Sequence, residues 1–467
     1  MEPLNKAYGS LVRGVVFPLQ ELCKGHRTLG MIREMKAAET LPIADLQRLQ
    51  QQRLQPFLLH AFQAVEYYRN WFQTSGLRPQ DIQAASDLTR LPFLTKDIIR
   101  ENLDRLKSSN AARVQRMATG GSTGKPLIFY LGPTRVSSDV AARCRAEGWW
   151  GLGMGDQEFV FWGSPIELKR QDRIRQLRDR IFRTQLCSAF EMSPAVMNRF
   201  LDEMERRGCK KVFGYPSSIA LLCQHAQKEG RDLRKLGVRA AFVTAEYLWD
   251  HWRQVISDTF GCPVANGYGG RDSGFIAHEC PAGGMHITAD RIIVEIVDEQ
   301  GRPLPRGQSG EIVVTHLDTP EMPFIRYRTG DVGALSAAAC RCGRTLPLLE
   351  RIEGRKTDFV LAPDGRTLHG LSLIYVLREL KGIEQFRITQ KALDRFEVEI
   401  VTAPGYDRGS EAKIRDGFSQ RLRHPVAVNV TYPAAIAPSS SGKFRYVISD
   451  VISANGLAPN GQEVGVR

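Results

Sequence analysis

From Ser193 onward the chain alternates between helical and extended hydrophobic periods, and this alternation limits its fold more than any other feature. Residues 193–207 have a helical apolar spacing, 211–215 read as a strand, a helix starts after Pro216, and 240–244 are again strand-like. Successive strand–helix units return strands in parallel, so an α/β architecture with parallel sheets and covering helices is expected. The pattern then changes. Residues 292–297 and 311–315 are apolar strands joined by a Gly/Pro-rich connection, which predicts an antiparallel hairpin and a β-rich subdomain. Ahead of both, residues 1–110 are rich in helix formers, most clearly over 43–62, and Thr95 is placed to cap a helix just after Pro92. A chain of 467 residues exceeds what one core usually holds.

Apolar residues make up 42% and charged residues 25%, near globular averages. No apolar run approaches the roughly 18 residues of a membrane span, and the short Gly14-Val15-Val16-Phe17 stretch stops at Pro18, so neither a membrane segment nor a signal peptide is expected. Nine scattered cysteines fit reduced thiols and a cytoplasmic location. The net charge of +13 favours anionic partners such as nucleotides or coenzyme A. Residues 169–183 carry seven Lys/Arg, but Ile174, Leu177 and Ile181 recur there at helical spacing, so a helix with a solvated basic back is expected and nucleic acid is not.

Thr119-Gly120-Gly121-Ser122-Thr123-Gly124-Lys125-Pro126 combines three glycines, three hydroxyls and a lysine, an inventory suited to a polyphosphate. It is not a Walker loop. Thr119 stands where that pattern needs glycine and Pro126 where it needs Ser or Thr.

Further along, in order, come Gly267-Tyr268-Gly269-Gly270-Arg271-Asp272, Tyr327-Arg328-Thr329-Gly330-Asp331, Arg351-Ile352-Glu353-Gly354-Arg355, and Ser441-Gly442-Lys443 after Pro438. With the Gly/Ser/Thr loop, these segments resemble the adenylate-forming superfamily of acyl-CoA synthetases, adenylation domains and luciferases. Within it the chain looks most like the phenylacetate-CoA ligase branch and its capsule-biosynthesis-associated relatives. Leu59-His60-Ala61, Tyr67-Tyr68-Arg69 and Cys340-Arg341-Cys342-Gly343-Arg344 extend that likeness.

The resemblance implies a large N-terminal adenylating domain over 1–353 (a helical segment over 1–110 and the ATP and acyl core over 111–353). A hinge at 354–358 and a small, mobile α+β C-terminal domain over 359–467 would follow. Thr119, Gly120, Gly121, Ser122, Thr123, Gly124 and Lys125 would hold the ATP phosphates. Tyr268, with Gly269, would lie against adenine, where a flat ring stacks well. Asp331 would accept bonds from both ribose hydroxyls. Arg355 would reach the nucleotide, and Ala245 and Glu246 would line its site. Lys443 would bridge the acid carboxylate and the α-phosphate as a mobile cation. Two positions depart from the pattern. Asp272 replaces the usual glutamate that helps to hold Mg²⁺, and Thr357 stands at the hinge where Asp or Lys is usual.

Cys340 and Cys342 supply two thiolates, and Cys280 with His286 or His278 sits on the far side of the predicted hairpin. Three Cys and one His form a common structural zinc set, with His286 preferred because it shares a short loop with Cys280; three buried thiols and surface histidines are the alternative. The function implied is activation of a carboxylic acid by Mg-ATP as an acyl-adenylate, followed by transfer to CoA. Transfer to an amine, hydroxyl or carrier protein is a second reading, and a non-catalytic nucleotide-binding scaffold is a third.

Overall fold

The computed structural model describes residues 2–118, 127–162, 173–189, 192–355, 359–364, 367–369, 371–436 and 446–451. The chain divides into two compact units, Met1–Thr329 with Gly333–Ile352, and Gly330–Val332 with Glu353–Arg467.

The larger unit is built on an eleven-stranded sheet. Numbering its strands in chain order, these are β1 (Glu158–Phe161), β2 (Thr184–Cys187), β3 (Lys211–Gly214), β4 (Ala240–Thr244), β5 (Val264–Gly270), β6 (Gly274–Glu279), β7 (Met285–Ile287), β8 (Ile292–Val297), β9 (Gly310–His316), β10 (Phe324–Leu335) and β11 (Leu348–Arg355). Their spatial order is 8-9-10-11-7-6-5-4-3-1-2. Strands β2, β1, β3, β4 and β5 run parallel, as the strand–helix alternation predicted. The switch to antiparallel comes at the turn between β5 and β6.

Strand β4 of the parallel half is apolar on both faces. In β4, Ala241 and Val243 pack into a cluster with Met197, Leu201, Ile219, Cys223, Ile256 and Phe260, from the helices Pro194–Arg207, Pro216–Lys228 and Asp250–Phe260. Ala240 and Phe242 face the other way, toward Leu152 and Ala265. Such a strand reads as an unbroken apolar run because neither face meets water. The predicted hairpin forms between β8 and β9, with Ile292 opposite His316 and Val297 opposite Glu311.

The N-terminal helices belong to this unit. Helix Ile43–Ala64 buries Leu46, Leu54, Phe57, Leu58 and Ala61 along one face, and the Thr95 side chain caps the helix Lys96–Glu101 by accepting from the amide of Ile98. Leu94 exchanges backbone bonds of 3.0 and 2.9 Å with Arg326 and Arg328 of β10. His60 and Tyr68, two residues of the N-terminal resemblance, reach the carbonyls of Pro320 and Pro323 at 2.8 and 3.0 Å, so they fasten the helical layer to the sheet.

The basic segment differs from expectation in one respect. It forms a helix over Arg173–Phe182, but Leu177 is 60% exposed, so the three apolar residues do not make one buried face. Its C-terminal end is held instead by Phe182, edge-on to Phe17, and by the Tyr8 hydroxyl on the Ile181 carbonyl.

The smaller unit holds a four-stranded sheet in the order Ala427–Thr431, Arg395–Thr402, Ile383–Ala392, Val447–Ser449. The central pair is antiparallel and the outer strands are parallel to their neighbours. Helices Leu371–Arg378 and Ser410–Leu422 and a short hairpin of Phe359–Leu361 with Thr367–His369 complete it. Among the described residues, no helix is long and apolar enough to cross a membrane.

Candidate functional site

The loop that leaves β4 and the C-terminal end of β5 carry four of the expected site residues side by side. Thr244 pairs with Gly267, which places Ala245 and Glu246 next to Tyr268 and Gly269. In parallel sheets this is the edge where ligands bind, because the loops there open outward from a rigid frame. Ala245 takes a positive φ of 71°, a sparsely populated backbone state for a residue with a Cβ. Glu246 accepts a 3.1 Å bond from the amide of Ser217 at the start of helix Pro216–Lys228, so its carboxylate caps that helix and fixes the loop. A Cβ on Gly269 would lie 2.0 Å from the Gly274 carbonyl oxygen, so only glycine allows the tight β5–β6 turn.

Asp272 stands on that turn. Its Oδ2 accepts a 2.6 Å bond from the Tyr327 hydroxyl and its Oδ1 a 3.0 Å bond from the Ser273 amide. Beneath the turn lies Arg135, 1% exposed. It forms an ion pair with Asp139 through Nε at 3.0 Å, and its terminal nitrogens donate to the carbonyls of Asp272 and Arg271 at 3.3 Å. Arg271 in turn bonds the carbonyl of Ala118, where the chain enters the Gly/Ser/Thr loop. Tyr327 opens the Tyr-Arg-Thr-Gly-Asp segment, so two motifs 55 residues apart meet in one hydrogen bond.

Below this edge, between helix Pro133–Trp149 and the strands, lies a narrow crevice with room for about one water molecule. Val243, Thr244, Asn266 and Gly267 line it just ahead of the loop residues above, with Phe213, Phe242, Phe275 and His278 deeper along the strands. Arg143, Glu147, Glu158 and Lys211 form a closed ionic group along its wall. Glu147 is paired with Arg143 and Lys211, and Glu158 with the same two cations. Burial opposes the Lys211 charge, but the two carboxylates hold it protonated, above its usual range. Burial also pushes the His278 imidazole down to about 3, so it is neutral.

Cys280, His286, Cys340 and Cys342 converge, with their ligand atoms all within 4.8 Å of one another. The Cys280 and Cys340 sulfurs are 3.6 Å apart, and His286 Nε2 is 3.2 Å from the Cys342 sulfur. These separations suit the corners of one tetrahedron around a zinc-sized ion. The Nδ1 of His286 lies 3.2 Å from the Leu346 carbonyl, which fixes that nitrogen as the protonated one and leaves Nε2 with a free lone pair toward the thiols. Burial depresses the imidazole further, as a neutral ligand requires. Burial also pushes the Cys280 thiol up to about 11, whereas at Cys342 it is outweighed by bonds from Arg344 and the neighbouring thiols, which hold that group below its usual value. A Cβ on Gly284 would sit 2.5 Å from the Cys340 sulfur, so the Cys280 turn closes only around glycine. Glu39 braces the outside, bonding Arg344 at 3.1 Å and the Trp149 indole at 2.9 Å. His278, the other candidate ligand, lies outside the cluster.

Asp331 is half-buried on β10 and Arg355 ends β11. Thr119, Gly120, Gly121, Ser122, Thr123, Gly124, Lys125, Thr357 and Lys443 lie outside the described residues. The sequence reading missed Arg135, Tyr327 as the partner of Asp272, and the crevice. Tyr327 heads a segment already singled out, and only its partner was hidden; Arg135 is one arginine in a helix and gives no sequence signal.

Comparison with known proteins gives a consistent picture. The family model of the CapK C-terminal domain matches residues 360–450. A phenylacetate-coenzyme A ligase of Thermus thermophilus is 27% identical, with 88% of this chain and 98% of that protein covered. Protein CapK of Staphylococcus aureus is 23% identical, with 87% and 90% covered. Among solved structures, 2-hydroxyisobutyryl-CoA ligase in its postadenylation state with an acyl-AMP superposes with a TM-score of 0.72 at 22% identity, over 89% of this chain and 91% of the other. The same ligase in its thioesterification state, with 2-HIB-AMP and CoA, gives 0.59, over 89% and 92%.

Proposed function

We propose that this chain, a member of the adenylate-forming superfamily on its phenylacetate-CoA ligase-like and CapK-like branch, activates a carboxylic acid with ATP as an acyl-adenylate and passes the acyl group to CoA. The observation that carries this reading is the bond from Tyr327 to Asp272, which joins two of the motifs beside the loop edge of the parallel strands. Attack of a carboxylate on the α-phosphate brings two anions together, so the site must align them and neutralise charge.

In this reading Tyr268 and Gly269 form the adenine platform, Asp331 takes the ribose diol and Arg355 the nucleotide. The loop Thr119, Gly120, Gly121, Ser122, Thr123, Gly124 and Lys125 holds the β- and γ-phosphates. Ala245 lines the site with its backbone, held in place by Glu246. Lys443 brings the cation to the reacting carboxylate and phosphate. Asp272 keeps acceptor capacity on both oxygens beyond its two protein bonds, so it fits one position in a Mg²⁺ shell, where the ion would offset phosphate charge. Thr357 serves as the pivot for the small domain. The three thiols and the imidazole fit a closed, structural zinc site. Nine free cysteines agree with a reducing compartment such as the cytoplasm.

The test is pyrophosphate release from Mg-ATP across a panel of aryl and aliphatic acids, with and without CoA. Release with every productive acid and a thioester only when CoA is present is the expected result. Release without any thioester would assign the acyl group to an amine, hydroxyl or carrier protein instead. Lys443→Ala is expected to abolish release while ATP still binds, and undiminished release in that variant would remove Lys443 from the chemistry.

A further inference from the structure

Adenylation leaves one surface without a role, the outer face of the first helices. Helices Glu2–Leu11 and Phe17–Lys24 run on through a π turn at Val12–Val16 as one rod, along which Leu11, Val15, Leu19 and Leu22 are 51%, 47%, 57% and 77% exposed. Steps of four, four and three residues put them on one side. Elsewhere among the described residues, exposed apolar side chains such as Ile43, Leu221 and Leu393 are scattered, which calls for no explanation. The stripe does not reflect a loosely held helix, because the opposite side is docked. Val12 and Phe17 are buried, Phe17 meets Phe182 edge-on, and a Cβ on Gly155 would come within 2.9 Å of the Val12 Cβ. The charges beside the stripe are mostly of one sign. Over residues 7–27 the exposed charged side chains are Arg13, Lys24 and Arg27, whereas the acid Glu21 is buried against His26. The neighbouring helix Arg173–Phe182 exposes Arg178 and Arg180 together with Leu177. Asp156 and Asp179 pair with Arg13 and Arg178 at 3.8 and 2.5 Å, so cations still outnumber acids. Lys24 is near enough to Arg178 that burial and this like charge depress its ammonium, which Glu21 only partly offsets.

We propose that this face rests on an anionic lipid surface, with Leu11, Val15, Leu19 and Leu22 in the boundary between headgroups and acyl chains and the flanking cations among lipid phosphates. The proposal does not depend on the adenylation reading. Helices that lie in a membrane interface have this make-up, an apolar stripe with Lys and Arg beside it, and their binding sums apolar burial with attraction to anionic lipid. Among the described residues no helix is long and apolar enough to cross a bilayer, so the rod lies in the plane of the surface. The net charge of +13 draws the chain toward such a surface from farther away. A second copy of the chain suits the face less well. A two-fold contact would set its cations against their own copies, and a stable interface covers about 800 Å² on each partner, more than four side chains supply.

The experiment is co-sedimentation of the full chain with vesicles of phosphatidylcholine alone and of phosphatidylcholine mixed with phosphatidylglycerol, with oligomeric state measured by light scattering. Wild type is expected to bind the mixed vesicles at least about tenfold more tightly than the neutral ones, and to lose most of that binding when salt is raised from about 0.1 M to about 1 M. The double variant Leu19→Ser, Leu22→Ser should weaken binding to mixed vesicles by about tenfold or more, and Lys24→Gln or Arg178→Gln by about fivefold each. Leu393→Ser, an exposed leucine elsewhere, should bind as wild type does. Melting temperature confirms that each variant is folded. No binding to mixed vesicles, equal binding to neutral ones, or binding unchanged in the folded double variant overturns the proposal. A wild-type dimer that the double variant converts to monomer also overturns it, by assigning the stripe to a second copy.

Discussion

The phenolic oxygen of Tyr327 lies 2.6 Å from Oδ2 of Asp272, and this bond aims the carboxylate. Tyr327 is fully buried, so its direction does not vary with solvent. Tyr327→Phe removes the bond and keeps the ring. The expected result is a loss of about tenfold in kcat/KM for Mg-ATP, about 1.4 kcal/mol, with little change in melting temperature. Asp272→Asn should cost more, and raising Mg²⁺ should restore Tyr327→Phe better than Asp272→Asn. Equal Mg²⁺ dependence in wild type and Tyr327→Phe would detach this bond from metal binding.

Purified protein prepared without chelator should hold one zinc per chain. Cys342→Ser should drop below stoichiometry by elemental analysis and melt earlier, because the binding energy of a structural metal is also folding energy. Gly284→Ala should resemble it, since the added methyl would occupy the space of the Cys340 sulfur. Zinc retained at full stoichiometry in both variants would disqualify the cluster as the site.

Lys211 and Glu147 are each 3% exposed and directly paired along the crevice wall. Lys211→Met leaves Glu147 and Glu158 to share Arg143 and is expected to destabilise the larger unit by roughly 3 kcal/mol. The double variant Lys211→Met, Glu147→Gln should recover part of that loss. Additive losses in chemical denaturation would show that the two residues are not energetically coupled.

His316 is 1% exposed. Burial, followed by the charges of Arg135 and Arg291, holds its imidazole well below the ordinary value of 6.5. Between those two values the unfolded chain binds a proton that the native chain does not. Stability therefore falls as pH drops below about 6.5, by up to about 1.4 kcal/mol per pH unit for each such histidine. His278 acts in the same sense. The melting temperature of wild type should hold between pH 8 and 7 and decline between pH 6.5 and 5, with a shallower decline in His316→Gln. Parallel declines would exclude His316 as a source.

Periodicity made the frame legible. The run at 240–243 is apolar and buried on both faces and so carries an uninterrupted signal, and the hairpin strands were equally plain. The Cys/His cluster was visible because its ligands are rare residue types, and the preference for His286 over His278 followed from loop length. What sequence could not show was pairing in space. Arg135 and Asp272 are 137 residues apart, and nothing in either local segment names the other. Leu177 shows the opposite failure: helical spacing was right, but spacing alone does not say that a face has anything to pack against.

Cys280 and Cys340 are sixty residues apart in the chain, and β8, β9 and β10 all lie between His286 and Cys340. A metal ion held there would therefore act as a clasp on a loop that contains three strands of the antiparallel half. Closing a loop of that length removes entropy from the unfolded chain, and losing the clasp returns it. Zinc shortage would then be felt during synthesis rather than during turnover of substrate. Chains made without the ion would open more often and be cleared by proteolysis, so the amount of enzyme in a cell would follow its metal supply while each surviving molecule kept its full rate.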